Sequence, residues 1–361
     1  MKRMLAKIAA RRRGVRPAAV DARTAVKDFS PGHLYEAATF QGRALRRPAT
    51  VPARSLGLPS DEWILGAVRD GDARAYPLST MSGVHVVNDI LGGRPFLATF
   101  CARCYSGLGF VPGVDDQDLT FDVFGMYEGN ATMIDDETGT IWAQLTGRAL
   151  VGPLAGRMLT PEPVHIMTIG EWLDRHPDSL ALHPDALVDN PARSWVGPSP
   201  IADRSVTTYG YVSRTLPRTD KRLAPDTYVL GVNLPSGSRA YVVDPSRPGP
   251  RLYQDSIGDA PVVLLAPEGG WPLAYDRRVD GTVLDLRIDD GSVVDAGGSV
   301  WSGEGLAVAG PLESSQLRFL PSRLTKWYAW VAAFPETNID TRAIGAISGR
   351  ATAPMLGEEA R

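Results

Sequence analysis

The chain repeats itself. No other feature limits its fold as much, because self-similarity at a fixed spacing means one supersecondary unit built twice. Ile64-Leu65-Gly66 ahead of Ala73-Arg74-Ala75-Tyr76 matches Val229-Leu230-Gly231 ahead of Ser238-Arg239-Ala240-Tyr241, at an offset of 165. Asn88-Asp89 with Gly92 and Pro95 matches Gln254-Asp255 with Gly258 and Pro261, at 166. Trp142 matches Trp301, and Val151-Gly152-Pro153-Leu154 matches Ala309-Gly310-Pro311-Leu312. Glu171-Trp172 before His176-Pro177 matches Ala329-Trp330 before Phe334-Pro335, at 158. The order holds throughout, so two homologous units are expected at 62–181 and 227–340. A basic extension, 1–61, precedes them, a linker rich in Pro, Ser, Arg and Thr, 182–226, joins them, and a tail, 341–361, follows.

Each unit reads as strands with short helices. The 37 glycines and 29 prolines among 361 residues favour turns and short strands over a helical bundle. Segments 63–68 and 73–78 flank Arg69-Asp70-Gly71-Asp72, a hairpin signal. Residues 79–91 carry Met81, Val84, Val87, Ile90 and Leu91 at helical spacing and stop at Gly92-Gly93, which predicts a helix. Strands are expected over 95–100, 119–124 and 140–145, and a helix over 169–176 with Pro177 just past its end. The predicted fold class is α+β and strand-rich, with two tandem units packed in pseudo-twofold symmetry, the second degenerate.

The formal net charge of -3 hides an asymmetry. Residues 1–27 carry nine Lys and Arg against the single acid Asp21, so that segment is +8 and the remainder -11. An acidic body argues against nucleic acid as a partner, since phosphate binding needs a basic surface on the fold itself. No apolar run reaches the ~18 residues of a membrane span, and none follows the cluster Arg11-Arg12-Arg13 as a secretion signal requires. The reading is a solvated, partly helical or disordered basic tail on a soluble, cytoplasmic protein.

Cys101 and Cys104 are the only cysteines, and a C-x-x-C closes too small a loop to act as a staple. A disulfide framework is excluded, which leaves thiol redox chemistry or metal binding. A thiol exchanger sets this motif at a helix N-terminus, where the dipole lowers the thiol pKa. Here Gly107, Gly109 and Pro112 follow, which is poor helix. Residues 100–110 therefore read as strand, knuckle and strand, with both thiols facing one centre.

The repeat also serves as an internal control. Residues kept in both units serve the fold, and reactive residues in one unit alone are candidates for function. His85 stands opposite Arg251, Cys101 opposite Pro267, Cys104 opposite Gly270 and Met133 near Ser292. By contrast Asn88-Asp89, Asp136 and Trp142 have counterparts in Gln254-Asp255, Asp295 and Trp301 and read as structural, the first pair as caps. A lone histidine on an apolar face is usually a satisfied core residue, and a methionine in a core-facing run is usually packing. The loss of His85 together with both cysteines in the second unit moves it toward a ligand, and Met133 is the soft side chain left for a fourth position. Two thiolates, an imidazole and a thioether suit copper, as Cu(I), with zinc and iron behind it. Tyr105, Arg103 and Ser106 adjoin the knuckle and read as substrate-facing or supporting groups. No G-x-x-x-x-G-K-[ST], G-x-S-x-G or H-E-x-x-H is present, which argues against the commonest nucleotide, serine-hydrolase and zincin chemistries.

These motifs resemble a family catalogued as domain of unknown function 3179. Its members typically carry G-E-A-R-A-Y-P, then W-H-E-I-V-N-D with G-G-R-P, then Y-C-P-L-C-G, and later M-Y-D-R-E-T-G-S-x-W-x-Q-L-T-G with A-G-P-L. This chain has Gly71-Asp72-Ala73-Arg74-Ala75-Tyr76-Pro77, Val84-His85-Val86-Val87-Asn88-Asp89, Gly92-Gly93-Arg94-Pro95 and Cys101-Ala102-Arg103-Cys104. It continues with Met133-Ile134-Asp135-Asp136-Glu137-Thr138-Gly139 and Trp142-Ala143-Gln144-Leu145-Thr146-Gly147. Tyr105 stands where the family has glycine, Arg103 where it has an apolar residue and Val84 where it has tryptophan. The resemblance covers most of 62–340 and implies His85, Cys101, Cys104 and Met133 as a functional set, without supplying an activity.

The expectation is a soluble copper-dependent oxidoreductase, an oxidase or oxygenase. It would act with O2 or another oxidant on a small organic molecule near Tyr105 and Arg103. The alternatives are a non-catalytic copper-binding or delivery protein, a zinc hydrolase or lyase using the same ligands, and a metal-free thiol oxidoreductase.

Overall fold

Asp70 and Gly71 both take positive φ, 51° and 82°, the conformation a two-residue hairpin turn demands and that Asp-Gly accepts at low cost. They join the antiparallel strands Trp63–Arg69 and Asp72–Pro77. The structure, a computed structural model, describes residues 16–37, 41–187, 190, 212–217, 219–244 and 252–345. It is strand-rich, with 49% strand and 12% helix, and its three α-helices among the described residues are short: α1 (Leu78–Val84), α2 (Ile169–Arg175) and α3 (Trp327–Ala333). None is long and apolar enough to cross a membrane.

The two matched segments carry the same strand orders. His165–Thr168, Trp63–Arg69, Asp72–Pro77 and Leu180–Leu182 run side by side, as do Ser322–Lys326, Tyr228–Leu234, Gly237–Asp244 and Asn338–Gly345. The last pairing is parallel in both sheets. Each segment packs a helix tryptophan on a strand glycine. A Cβ on Gly66 would sit 2.2 Å from the Trp172 ring, and one on Gly231 would sit 2.2 Å from Trp330, so only glycine lets the helices approach this closely. The indole of Trp172 donates to Ser179 Oγ at 2.9 Å and that of Trp330 to Thr337 Oγ1 at 3.1 Å.

Two expectations are corrected by the strands. Helix 79–91 is instead α1 over Leu78–Val84, then His85 at φ 62°, then the strand Val86–Leu91. The spacing of Val84, Val87 and Ile90 suits a helix, but the strand pairs along its length with Arg94–Cys101, and Gly92-Gly93 closes that hairpin rather than ending a helix. Asn88-Asp89 therefore lies within a strand and caps nothing. Asn88 instead bridges sheets, donating to Leu45 O and Phe121 O and accepting from Phe121 N–H. The partner of Asp295 is Asp135, not Asp136. Trp142 donates to Asp135 at 2.8 Å and Trp301 to Asp295 at 2.9 Å, while Asp136 lies at the surface against Arg46.

Part of the N-terminal extension is built into the sheets. Leu34–Glu36 pairs with Phe121–Tyr127, Leu45–Arg46 with Val86–Leu91, and Thr50–Pro52 with Leu180–Leu182. The basic cluster at 11–13, the tail expected there and most of the linker lie outside the described residues.

One apolar cluster draws on both segments, joining Leu65, Tyr76, Phe96, Tyr105 and Val164 to Leu230, Tyr241, Trp271 and Leu324. The segments also exchange backbone contacts reciprocally. Lys326 N–H donates to Cys104 O at 2.9 Å, and Thr168 N–H donates to Gly269 O at 3.2 Å. Each segment's turn is thus docked on the other segment's strand.

A buried dithiol turn as candidate functional site

The strands Arg94–Cys101 and Ser106–Val111 are antiparallel partners, and the turn between them carries both cysteines. Tyr105 N–H donates to Cys101 O at 2.7 Å, which curls the turn. It also leaves Tyr105 at φ 64°. That is left-handed backbone, where glycine is free and a tyrosine costs about 1–2 kcal/mol. The glycine of the family pattern at this position therefore has a conformational reason. The tyrosine offsets its cost through edge contacts with Phe100 and Tyr228, at centroid distances of 5.8 and 5.1 Å.

Both sulfurs are brought together and enclosed. Cys101 is 4% exposed and Cys104 fully buried, in a cluster with Met126, Val212, Tyr328 and Ala329. The backbone N–H of Cys104 donates to Cys101 Sγ at 3.2 Å. Burial pushes the Cys101 thiol up. Donation from the Cys104 thiol and from the N–H groups of Cys104, Arg103 and Ala131 overrides that push, and the thiol lies at about 7. Cys104 is displaced upward, by burial first and then by its partner sulfur. One sulfur is built to carry negative charge and the other to keep its proton.

Below Cys104 lies a polar chain with no exposed member. Cys104 Sγ is 3.2 Å from Ser106 Oγ, and Ser106 donates to Gln144 Oε1 at 2.9 Å. Gln144 Nε2 in turn donates to Thr99 Oγ1 at 2.9 Å and to Ser106 O at 3.2 Å. Ser106 was legible as a neighbour of the motif. Thr99 and Gln144 were not, because a lone Thr in a strand or Gln in a turn carries no chemical signature until its partners are known.

His85 meets the turn from the side. Its Nδ1 is 3.0 Å from Phe100 O. Since a carbonyl only accepts, the proton sits on Nδ1 and the Nε2 lone pair is the ligand-competent one. Burial lowers the imidazole to about 4, with Arg43 and Arg103 adding to the effect, so the ring is neutral near pH 7. Its backbone is at φ 62°, ψ -32°, a strained conformation of the kind that gathers at functional sites. Arg103 is half-buried in the turn itself. The Tyr105 hydroxyl is buried without a partner among the described residues and, by burial first, holds its proton far above the usual range.

Met133 does not join the sulfurs. It is 1% exposed in a separate cluster with Val86, Phe121, Val123 and Trp142. Among the described residues no three His, Cys, Asp or Glu side chains are grouped to hold a metal ion. The soft donors that stand together are therefore Cys101 and Cys104, with His85 adjoining. As a chemical set, two thiols with one already near its thiolate form fit Cu(I). They fall short of the four ligands of a structural zinc site.

A second cluster was missed. His176, which the sequence reading leaves without a role, puts Nε2 3.2 Å from Glu304 Oε1 of the other segment. Burial raises Glu304, but His176 overrides it, helped by the charges of His165 and Arg175, and the carboxyl lies at about 2. The signal was absent because the partner is 128 residues away.

Nothing among curated proteins or solved structures matches the chain. A family model described as protein of unknown function (DUF3179) matches residues 44–337, spanning both segments and every residue of the dithiol turn, and the chain belongs to that family.

Proposed function

We propose that the Cys101–Cys104 turn is a copper-thiolate centre and that the protein is an oxidoreductase acting on a small organic molecule. The observation that carries this reading is the arrangement of two buried sulfurs in one turn, with the Cys104 N–H aimed at Cys101 Sγ at 3.2 Å, which lowers the Cys101 thiol. A fold that stabilises an anionic sulfur away from water provides a site for a soft cation. Cys101 and Cys104 would hold the metal, and His85 adjoins with the tautomer a ligand needs. Bound there, copper would supply one-electron chemistry with an oxidant such as O2. The chain's own residues exclude water with Tyr328, Met126 and Val212, and Ser106 Oγ, 3.2 Å from Cys104 Sγ, positions that sulfur. Enclosure of both sulfurs favours a resident metal over a carrier, which needs an exposed ligand edge for exchange. The matched strand orders, the paired Trp–Asp bonds and the bonds of Arg74 and Tyr76 to Asp89 and of Arg239 and Tyr241 to Asp255 support an origin by duplication, with the second copy serving as scaffold.

Thiol–disulfide exchange is the second reading, favoured by the asymmetry between a low Cys101 and a high Cys104. Metal content by plasma mass spectrometry separates the two. Near-stoichiometric copper is expected in the wild type, lost in Cys101→Ala and Cys104→Ala and reduced in His85→Ala. Zinc in that pattern redirects the search to hydrolysis. A wild type that stays metal-free after Cu(I) reconstitution refutes the copper reading. Disulfide reductase activity that tolerates His85→Ala would establish the second one.

A further inference from the structure

A cavity lies where the two segments meet, walled by Leu108 and Val164 on one side and by Leu230, Trp271 and Leu324 on the other. Arg323 lines it and is 7% exposed. Its one hydrogen bond runs to Pro321 O at 3.2 Å, and no carboxylate among the described residues pairs with it. Trp271 is 3% exposed, and its buried indole N–H has no acceptor among the described residues. Glu162 also lines the cavity, but it is ion-paired with Arg69, so the wall keeps one uncompensated positive charge. A buried guanidinium without a counter-ion costs several kcal/mol, and burial lowers this one to about 10. Folds keep such a cost where a site uses it.

We propose that this cavity binds the carboxylate group of a small organic acid, with the Arg323 guanidinium as its cation and the Trp271 N–H as a second donor. Arginine presents parallel N–H groups that match a carboxylate in two-point contact. The space open to the centre of a water-sized molecule is about 20 Å³, enough for a carboxylate head or one small ion and too little for a large metabolite. The otherwise apolar wall favours a ligand whose remaining atoms carry no charge. The site does not depend on what the thiols hold.

The test uses metal-free full-length protein, by calorimetric titration and thermal unfolding with acetate, inorganic phosphate and chloride. Acetate is expected to bind saturably and raise the unfolding midpoint. Arg323→Met should weaken that binding at least ~10-fold, and Trp271→Phe should weaken it less. The ligand-free Arg323→Met protein should unfold at the wild-type midpoint or above it, because removing an unpaired buried charge relieves strain. A merely structural arginine would lower the midpoint instead. Equal acetate binding in wild type and Arg323→Met overturns the site. Binding of phosphate or chloride but not acetate, or of none of the three, overturns the carboxylate assignment. Should Arg323→Met fail to fold, Trp271→Phe carries the comparison, and unchanged acetate affinity in it counts against the site.

Discussion

The Arg–Asp–Tyr cluster occurs twice at different depths, so one substitution made in both copies measures what depth is worth. In the first segment Asp89 Oδ2 accepts from Arg74 Nη1 at 2.7 Å and from the Tyr76 hydroxyl at 3.0 Å, and Oδ1 accepts from Ile90 N–H at 2.8 Å. The Arg74 and Asp89 side chains are 7% and 5% exposed. In the second segment Asp255 Oδ2 accepts from Arg239 Nη1 and from Tyr241, both at 2.9 Å, with side chains 27% and 16% exposed. Asp89→Asn keeps the shape and a tyrosine acceptor but leaves the buried Arg74 charge with only the longer pair to Asp72 at 3.5 Å, and breaking a buried pair from one side costs up to about 3–5 kcal/mol. Asp255→Asn leaves Arg239 partly hydrated, where the loss falls toward ~1 kcal/mol. Asp89 also uses its second oxygen to accept the Ile90 N–H, so the buried site loses more on both counts and a gap of about 2 kcal/mol is expected. Denaturant unfolding followed by tryptophan fluorescence and far-UV circular dichroism measures it, with coincident curves justifying the free energies. Equal losses, or a larger one at Asp255, would refute the claim that burial sets the worth of these pairs.

Two further predictions concern ionisation. In metal-free protein, alkylation by iodoacetamide should rise with pH through a midpoint near 7 and mark Cys101 before Cys104, read by peptide mass mapping. Cys104 labelled first would reverse the assignment of the anionic sulfur. Glu304 is held at about 2 in the fold against ~4.3 in an unfolded chain. Its contribution is therefore present above pH ~4.3 and lost as pH falls through 2. Thermal midpoints from pH 6 to 2 should drop less steeply for Glu304→Gln than for the wild type, and parallel curves would remove Glu304 from the acid response.

Much of the local structure is legible in the sequence, because its signals are local. Asp70-Gly71 announces the 63–77 hairpin, and glycines after Cys104 rule out a helix there. The segment 79–91 misleads because Val84, Val87 and Ile90 satisfy two periodicities, and Gly92-Gly93 can end a helix or turn a hairpin. Cross-strand pairing decides between them, and its partner strand cannot be read from the segment itself. The candidate site is half legible. The C-x-x-C is visible at once, whereas Thr99, Gln144, Tyr328 and the His176–Glu304 pair acquire meaning only through contacts made across the fold. Tyr105 is the instructive case. It looked like a substituent at the motif's edge, and the structure gives it a left-handed backbone and an aromatic neighbour from the other segment.

The Cys104 carbonyl accepts both the N–H of Lys326 and the hydroxyl of Thr325, the latter across 221 positions of chain. On a ribosome adding about 5–20 residues per second, roughly 10–45 s separate the two ends of that contact. Throughout that interval the thiols belong to an unfinished nascent chain, open to oxidants and to any soft metal at hand. Any group that reaches the two sulfurs must arrive in that window or be admitted by later opening, so the timing of synthesis sets when this turn is accessible.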